Sequence, residues 1–469
     1  MDPFRGITGV ATGLLWSHAQ PSHRPFLMSR TFASLGFYNY RLWFAGAVVS
    51  NVGTWMQRVA QDWVVLTVLT EDSGVAVGVV TALQFLPFLV LGPFAGVIAD
   101  RFAPRRLLVV TQAAAAFLGV SLGAIVLLGH VELWHMYAFA LALGVVAAFD
   151  MPVRQTFVSA LVPKESLPNA VGLNSASFNA ARLIGPAVAG FAVAGIGSGW
   201  VFIINGLTYV ATIVALVLMR TRELNPFKRA KRSPGQIREG FRYVRGRPEL
   251  VVLMIVVSTV AMLGLNFQLT SAMMARIEFG RGAEEYGLIG SVLAIGSLSG
   301  ALLAARRTEI RLRLILGAAL LFGLSSGVMA AMPTYPLYLV SCTVVGFSAL
   351  TMLTSANAFI QTTTPSHMRG RVMALYSMVV MGSTPIGSPI IGWVGEHVSP
   401  RWAIGAGAIA SIVVAWGAIV WSIRYWNLEV TYHRHRPLLE FRYPDEQRTR
   451  EDALVRLRAQ QIVDVTSQP

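Results

Sequence analysis

Apolar runs of about twenty or more residues, separated by short polar turns, fill the chain from Leu42 to Trp426. Runs near 42–69, 74–99, 104–129, 133–157, 166–194 and 198–219 form one set, and runs near 249–275, 285–304, 311–332, 335–360, 367–395 and 402–425 form another. About 20 apolar residues, rising about 1.5 Å each, cross a bilayer core. Backbone in hydrocarbon must satisfy its hydrogen bonds within its own segment, so each run is expected to be a helix. The pattern predicts an all-α membrane protein with twelve transmembrane helices in two pseudo-symmetric six-helix bundles. Its parts are an N-terminal segment (1–41), a first bundle (42–219), a basic linker (220–248), a second bundle (249–426) and a polar tail (427–469). Ser29 to Tyr40 reads as a short interfacial helix with Phe32, Leu35 and Phe37 toward lipid, and Asp452 to Ile462 as a short helix in the tail.

Composition narrows the class further. With 54% hydrophobic residues, 13% charged residues and a mean hydropathy of +0.58, the chain cannot be an ordinary soluble protein. A net charge of +15 raises the question of a nucleic-acid partner, and the positions of the basic residues answer it. With both termini placed in the cytoplasm, 33 of the 38 Lys and Arg fall in cytoplasmic segments. Only Arg276, Arg281 and Arg401 lie on the other side, and Arg58 and Arg182 lie within spans. This is the positive-inside distribution, so the charge encodes topology and attraction to membrane lipid rather than nucleic-acid binding. The first forty residues lack a signal-peptide core followed by a cleavage site, so the first span is expected to stay in the protein. One cysteine, Cys342, forms no internal disulfide. No phosphate-binding Gly-Lys-Ser/Thr loop, His-Glu-x-x-His or Cys/His cluster is present, so no cofactor, metal or enzymatic activity is expected, and an ion gradient is left as the energy source.

Between spans two and three the chain reads Gly96-Val-Ile-Ala-Asp100-Arg101-Phe-Ala-Pro-Arg105-Arg106. Span five carries Gly172, Ala181, Gly185-Pro186 and Ala189-Gly190, a small-residue face that allows close helix packing, with a proline that permits a bend. Laying the residues after Pro163 on those after Pro365 at a constant shift matches Gly185 to Gly387 and Gly190 to Gly392, the trace of a duplication. The second copy of the Asp loop, Gly300 to Arg307, keeps its glycine and basic charge and has lost the acid.

The Asp100 segment resembles the signature loop of the major facilitator superfamily, and the span-five residues resemble its antiporter motif with alanine in place of glycine at 181 and 189. Four segments are similar to the branch that contains the enterobactin exporter and the transmembrane secretion effectors. These are Asn51 to Trp63, the Asp100 loop, Pro168 to Pro186, and Thr364 to Val372. The resemblance implies a monomeric secondary transporter of the cell membrane that works by alternating access, exporting an amphipathic, siderophore- or drug-like small molecule against a proton gradient. It also implies a cytoplasmic gate built from Gly96, Asp100, Arg101, Arg105 and Arg106, steadied by Arg154, in which Asp100 approaches the start of span eleven. Ion-coupled uptake, lipid-related transport by the same fold, and a receptor or platform that transports nothing are the alternatives.

Polar side chains inside spans are costly and mark candidate sites. Trp55, Arg58 and Asp62 share one face of span one, with Gln57 and Gln61 on an adjacent stripe. Asp62 is the candidate proton carrier. The same spacing equally allows Arg58 and Asp62 to form a permanent ion pair. Span five adds Asn174 and Arg182, the latter placed either to receive an anionic substrate or to neutralise an acid such as Asp62. Asn266, Gln268, Asn357 and Tyr376 extend the candidate cavity into the second half, with Trp55, Trp63, Phe267, Met273, Met274 and Met378 as its apolar surface.

Overall fold

The polar turns of the sequence become the turns of the fold. The computed structural model describes residues 30–225, 236–305, 307, 311–425, 429–432 and 439–442. Of these, the side chains of 30–31, 93–101, 236–237, 305, 429–432 and 439–442 lie outside the description. The first bundle contains α1 (Tyr38–Val64), α2 (Gly74–Arg101), α3 (Pro104–Leu127), α4 (Leu133–Leu161), α5 (Leu167–Ile196) and α6 (Ser198–Leu218). A short helix, α7 (Gln236–Arg245), precedes the second bundle. That bundle is built from α8 (Pro248–Thr259), α9 (Phe267–Met273), α10 (Ala283–Ala305), α11 (Leu312–Ala330), α12 (Tyr335–Thr363), α13 (Ser366–His397) and α14 (Pro400–Tyr425). Beyond it, β1 (Glu429–Tyr432) and β2 (Leu439–Arg442) pair antiparallel. The helix expected at 452–462 lies outside the described residues.

Among the described residues, eleven helical segments are long and apolar enough to cross a membrane. The twelfth span, α1 with its continuation through Leu69, falls short because Ser50, Thr54, Gln57, Arg58, Gln61 and Asp62 interrupt its apolar character. An even number of spans returns the chain to the side it started from. The turns at 70–73 and 279–282 lie on the other side, here called distal, and the side carrying α7 is called proximal.

Span seven departs from the expected continuous helix. It runs from Pro248 to Glu278 but breaks between α8 and α9. Val260–Gly264 widens to a π-helix, and Leu265 and Asn266 leave helical geometry (ψ 28° and 41°). Gly264 and Asn266 tolerate such backbone, and Asn266 donates from Nδ2 to the Met262 carbonyl at 2.8 Å, satisfying one acceptor that the break frees. The segment ahead of α1 also differs from expectation. Arg30–Gly36 is a 3-10 turn, and only Phe32 points outward. Leu35 and Phe37 instead pack beside Tyr40, Trp43 and Leu161 of the first bundle.

Inside a bilayer lipid tails are as apolar as leucine, so helices associate through close packing and hydrogen bonds. In the first bundle α3 packs on α6, α2 on α4, and α1 on both α5 and α6; in the second, α10 packs on α12 and α11 on α14. The bundles meet through two equivalent pairs, α2 with α13 and α5 with α10. The duplication seen in the sequence explains this equivalence. A Cβ added to Gly185 would lie 2.5 Å from the Trp55 Cβ on α1, and one on Gly387 would press on the Met262 backbone of span seven. Likewise, a Cβ on Gly190 would lie 2.5 Å from the Ala283 carbonyl oxygen, and one on Gly392 2.3 Å from the Gly74 carbonyl oxygen. Matched glycines therefore perform matched tasks, the first pair inside each bundle and the second between them.

Candidate functional site

Span one meets the second bundle at its distal end. Asp62 is buried and accepts a hydrogen bond from the Tyr286 hydroxyl of α10 at 3.2 Å. Trp63 stacks on the same Tyr286 ring, with centroids 6.0 Å apart and planes inclined by 20°. The i,i+4 ion pair between Arg58 and Asp62 is absent among the described residues: Arg58 instead lies over Trp55 (5.1 Å) and Phe85 (5.5 Å). Arg182 approaches the same indole from α5, at 5.8 Å. Trp55 is thus flanked by two guanidinium groups, a cation–π arrangement that gains in strength as water is removed.

Below the Asp62–Tyr286 contact, a cavity of about 50 Å³ opens between the bundles. Trp55, Val59, Arg182 and Pro186 line it from the first bundle, and Phe267, Gln268, Ser271, Tyr286, Gly290 and Leu293 from the second. Phe267 and Gln268 reach it because α9 restarts just after the break in span seven. The cavity is mainly apolar, with a few convergent polar groups, as small-molecule sites are. Gln268 Nε2 is buried there with no partner among the described groups.

On the distal side the bundles are clasped together. Gly78 and Ser388 meet closely enough for the Ser388 hydroxyl to donate to the Gly78 carbonyl at 3.0 Å, and the Ser291 hydroxyl donates to the Leu183 carbonyl at 2.6 Å. At the rim, Glu396 accepts from the Ser73 hydroxyl (2.6 Å) and the Val75 N–H (2.9 Å), and Arg276 pairs with Asp72 at 3.1 Å. Every described hydrogen bond and ion pair between the bundles lies between the middle of the spans and this rim. The structure is a distal-closed form.

The remaining candidates divide. Gln57 turns inward and accepts a hydrogen bond from Asn205 of α6, while Gln61 donates to the Met136 carbonyl (3.4 Å) and accepts from Gln84 (3.2 Å). Both polar groups of that stripe therefore bind the first bundle together and do not face the cavity. Tyr376 donates to the Leu353 carbonyl of α12 at 3.1 Å, Asn357 accepts from Gln361 one turn later, and Asn174 is half-buried on α5. Met273 and Met274 are buried in packing, and only Phe267, Trp55 and, through Tyr286, Trp63 of the expected apolar surface belong to this site. Pro186 sits within an unbroken α5 beside Gly287 of α10, Gly185 packs on Trp55, and Gly172 faces open space.

Of the expected gate, Gly96, Asp100 and Arg101 close α2, and their side chains lie outside the described residues. Arg105 caps α6, donating to the carbonyls of Leu216 (2.7 Å) and Val217 (3.1 Å), where a cation also suits the negative end of the helix dipole. Arg106 is exposed. Arg154 pairs with Asp150 at 3.0 Å and lies over the Trp43 ring at 5.4 Å, both within its own bundle. Asp150 is a polar centre that the sequence reading passed over. Its Oδ1 also accepts from Thr111 (2.7 Å) and Gln112 (2.8 Å) of α3, so it is fully partnered and joins α3 to α4. Three polar residues at matching depth in adjacent spans were the available signal.

Comparisons with known proteins agree with this architecture. The family model described as transmembrane secretion effector matches residues 29–449. The chain is 26% identical to the multidrug efflux pump Tap of Mycolicibacterium fortuitum, over 74% of this chain and 86% of that protein. It is 23% identical to the staphyloferrin A transporter of Staphylococcus aureus, over 74% and 87%, and 25% identical to the enterobactin exporter EntS of Shigella flexneri, over 74% and 82%. Among solved structures, a POT family transporter in complex with 5-aminolevulinic acid superposes with a TM-score of 0.67 at 11% identity, covering 83% of this chain and 96% of that one. A bacterial homologue of the lysosomal transporter Spinster gives 0.63 at 14% identity, covering 82% and 95%. These superpositions establish the fold.

Proposed function

The chain belongs to the transmembrane secretion effector family of major facilitator transporters, and on that premise we propose that it is a proton-coupled exporter of an amphipathic small molecule, siderophore- or drug-like. It is a multi-pass membrane transporter and not an enzyme. In this reading it lies in a bacterial plasma membrane with both termini and the 220–248 linker in the cytoplasm, so the proximal side is inside, as the basic residues favour. The observation that carries the proposal is the position of Asp62. It is an acid in the membrane-spanning part of α1, at the interface that must part when the distal side opens, and it stands above a cavity lined by both bundles. A carboxylate whose partner sits on the other bundle links its own charge to the opening of that interface. Relatives named as an efflux pump and a siderophore exporter favour export over uptake.

The test has two stages. A substrate screen in a strain lacking its own pumps first finds a compound to which the protein confers resistance or whose release it supports. Purified protein in vesicles is then given an imposed proton gradient. Movement of the compound opposite to the protons supports the proposal. Movement with them makes the protein an importer, and no movement with any screened compound under either gradient makes it a non-transporting membrane protein.

Asp100 completes the cycle in this proposal. When the proximal side closes, its carboxylate would meet the unpaired N–H groups at the start of α13, after Pro365, an interaction worth about 0.3–2 kcal/mol. Asp100→Asn should therefore raise the population of the distal-closed form several-fold and slow turnover. Spin-label distances between the proximal ends of α4 and α12 should lengthen; an unchanged distribution removes Asp100 from the gate.

A further inference from the structure

Arg58 and Arg182 are two cations with no acid committed to them. Among the described residues neither has a carboxylate within ion-pair distance, taken as 4.0 Å. Both instead lie against one indole, that of Trp55, at 5.1 and 5.8 Å from its centroid. Asp62 lies one turn beyond Arg58 and is engaged by Tyr286, so the region holds two positive charges and at most one negative. Uncompensated charge inside a membrane protein is expensive, and a site that maintains it has a use for a counter-ion. A third feature points into the same space: Gln268 Nε2, a buried donor with no partner, lines the cavity with Arg182.

We propose that Arg182 and Gln268 form a subsite for the carboxylate of an amphipathic organic anion, with Arg58, on the same Trp55 ring but outside the cavity lining, adding positive charge nearby. The planar fork of an arginine matches the two oxygens of a carboxylate, and the amide of Gln268 reaches it from the other bundle. With Asp62 ionised one positive charge is left over, which suits a monoanion better than a phosphate dianion. The cavity of about 50 Å³ has room for roughly three or four water molecules, hence for one such headgroup, while the body of the ligand extends along Trp55 and Phe267. Because one donor comes from each side, the ligand draws the two bundles together around it. The sequence left Arg182 between two roles, neutralising Asp62 or receiving an anion, and the lack of any Arg182 ion pair among the described residues favours the second.

This inference rests on the reading of the protein as a transporter, but its test needs neither a gradient nor a direction. The full chain in detergent is titrated with 2-naphthoate, with the neutral isostere 2-naphthamide and with inorganic phosphate, and affinity is taken from the rise in melting temperature with ligand. Naphthoate should stabilise the protein saturably, and naphthamide should not. Arg182→Gln and Gln268→Leu should each weaken naphthoate about tenfold or more, with Arg182→Lys between wild type and Arg182→Gln. Gln268→Leu, an uncharged replacement, keeps the question answerable if Arg182→Gln fails to fold. Equal stabilisation by naphthamide, or retention of naphthoate binding in Gln268→Leu and in whichever Arg182 variant folds, overturns the subsite. A shift produced by phosphate and not increased by naphthoate overturns the carboxylate assignment. Naphthoate binding combined with failure of vesicle transport leaves the subsite standing and removes the export reading alone.

Discussion

Asp62→Asn is expected to reduce proton-driven transport in vesicles to the level of empty vesicles while leaving the protein folded. Asparagine has the same shape, and its amide oxygen still accepts the Tyr286 hydroxyl, so the cost to the fold is the difference between a charged and a neutral hydrogen bond, about 1 kcal/mol. What disappears is the exchangeable proton. Tyr286→Phe separates the two roles of this contact. It keeps the acid and the stacking on Trp63 but removes the bond between bundles, which is worth about 0.5–3 kcal/mol depending on whether the carboxylate is ionised. That variant should still couple to protons and should populate the distal-open form more. Purified proteins with a validated substrate, assayed under imposed proton gradients and by exchange without a gradient, provide the comparison. Normal gradient-driven efflux by Asp62→Asn would show that this acid is structural and move the coupling role elsewhere.

The sequence revealed where the helices lie and how the halves correspond, because both depend on patterns that survive without knowledge of contacts. Twenty apolar residues imply a span, and glycines preserved at a constant shift imply equivalent packing, which Gly185 with Gly387 and Gly190 with Gly392 display. The facing partner of each polar side chain was much less legible. Gln57 and Gln61 share the polar half of α1 with Asp62, yet they join α6, α4 and α2, whereas Asp62 meets a tyrosine 224 residues away. A helical stripe gives a direction and leaves open whether its own bundle or the opposite one lies there. The proximity rule for i,i+4 pairs also misled, since Trp55 and Phe85 offered Arg58 aromatic faces where the rule expects an acid. The break in span seven was recorded only by Gly264 and Asn266 in an otherwise apolar run, too weak a signal to outweigh hydropathy.

Gly392→Leu and Gly190→Leu should hold the distal side open without unfolding either bundle. The nearest atoms to a side chain at Gly392 are the backbone of Gly74 and Val75 on α2, and those at Gly190 are the backbone of Ala283 and Glu284 on α10, in each case across the interface between bundles. Backbone cannot turn aside as a side-chain end does, so the clash, about 1–3 kcal/mol or more for overpacking, is relieved by separating the bundles. That energy moves a two-state balance by roughly one to two orders of magnitude. Gly387→Leu provides the contrast, because its clash is with Met262 inside the second bundle and no movement of the halves relieves it. It should lower the melting temperature markedly, whereas Gly392→Leu should leave it near that of the wild type. Spin labels at Glu71 and Val398, both exposed at the distal turns, report the opening. Longer distances are expected for Gly190→Leu and Gly392→Leu, together with weaker naphthoate binding, since the donors of the two bundles no longer converge. An unchanged distance in both variants would mean that these glycines only pack helices and that the distal closure is not set by backbone contact at α2 and α10.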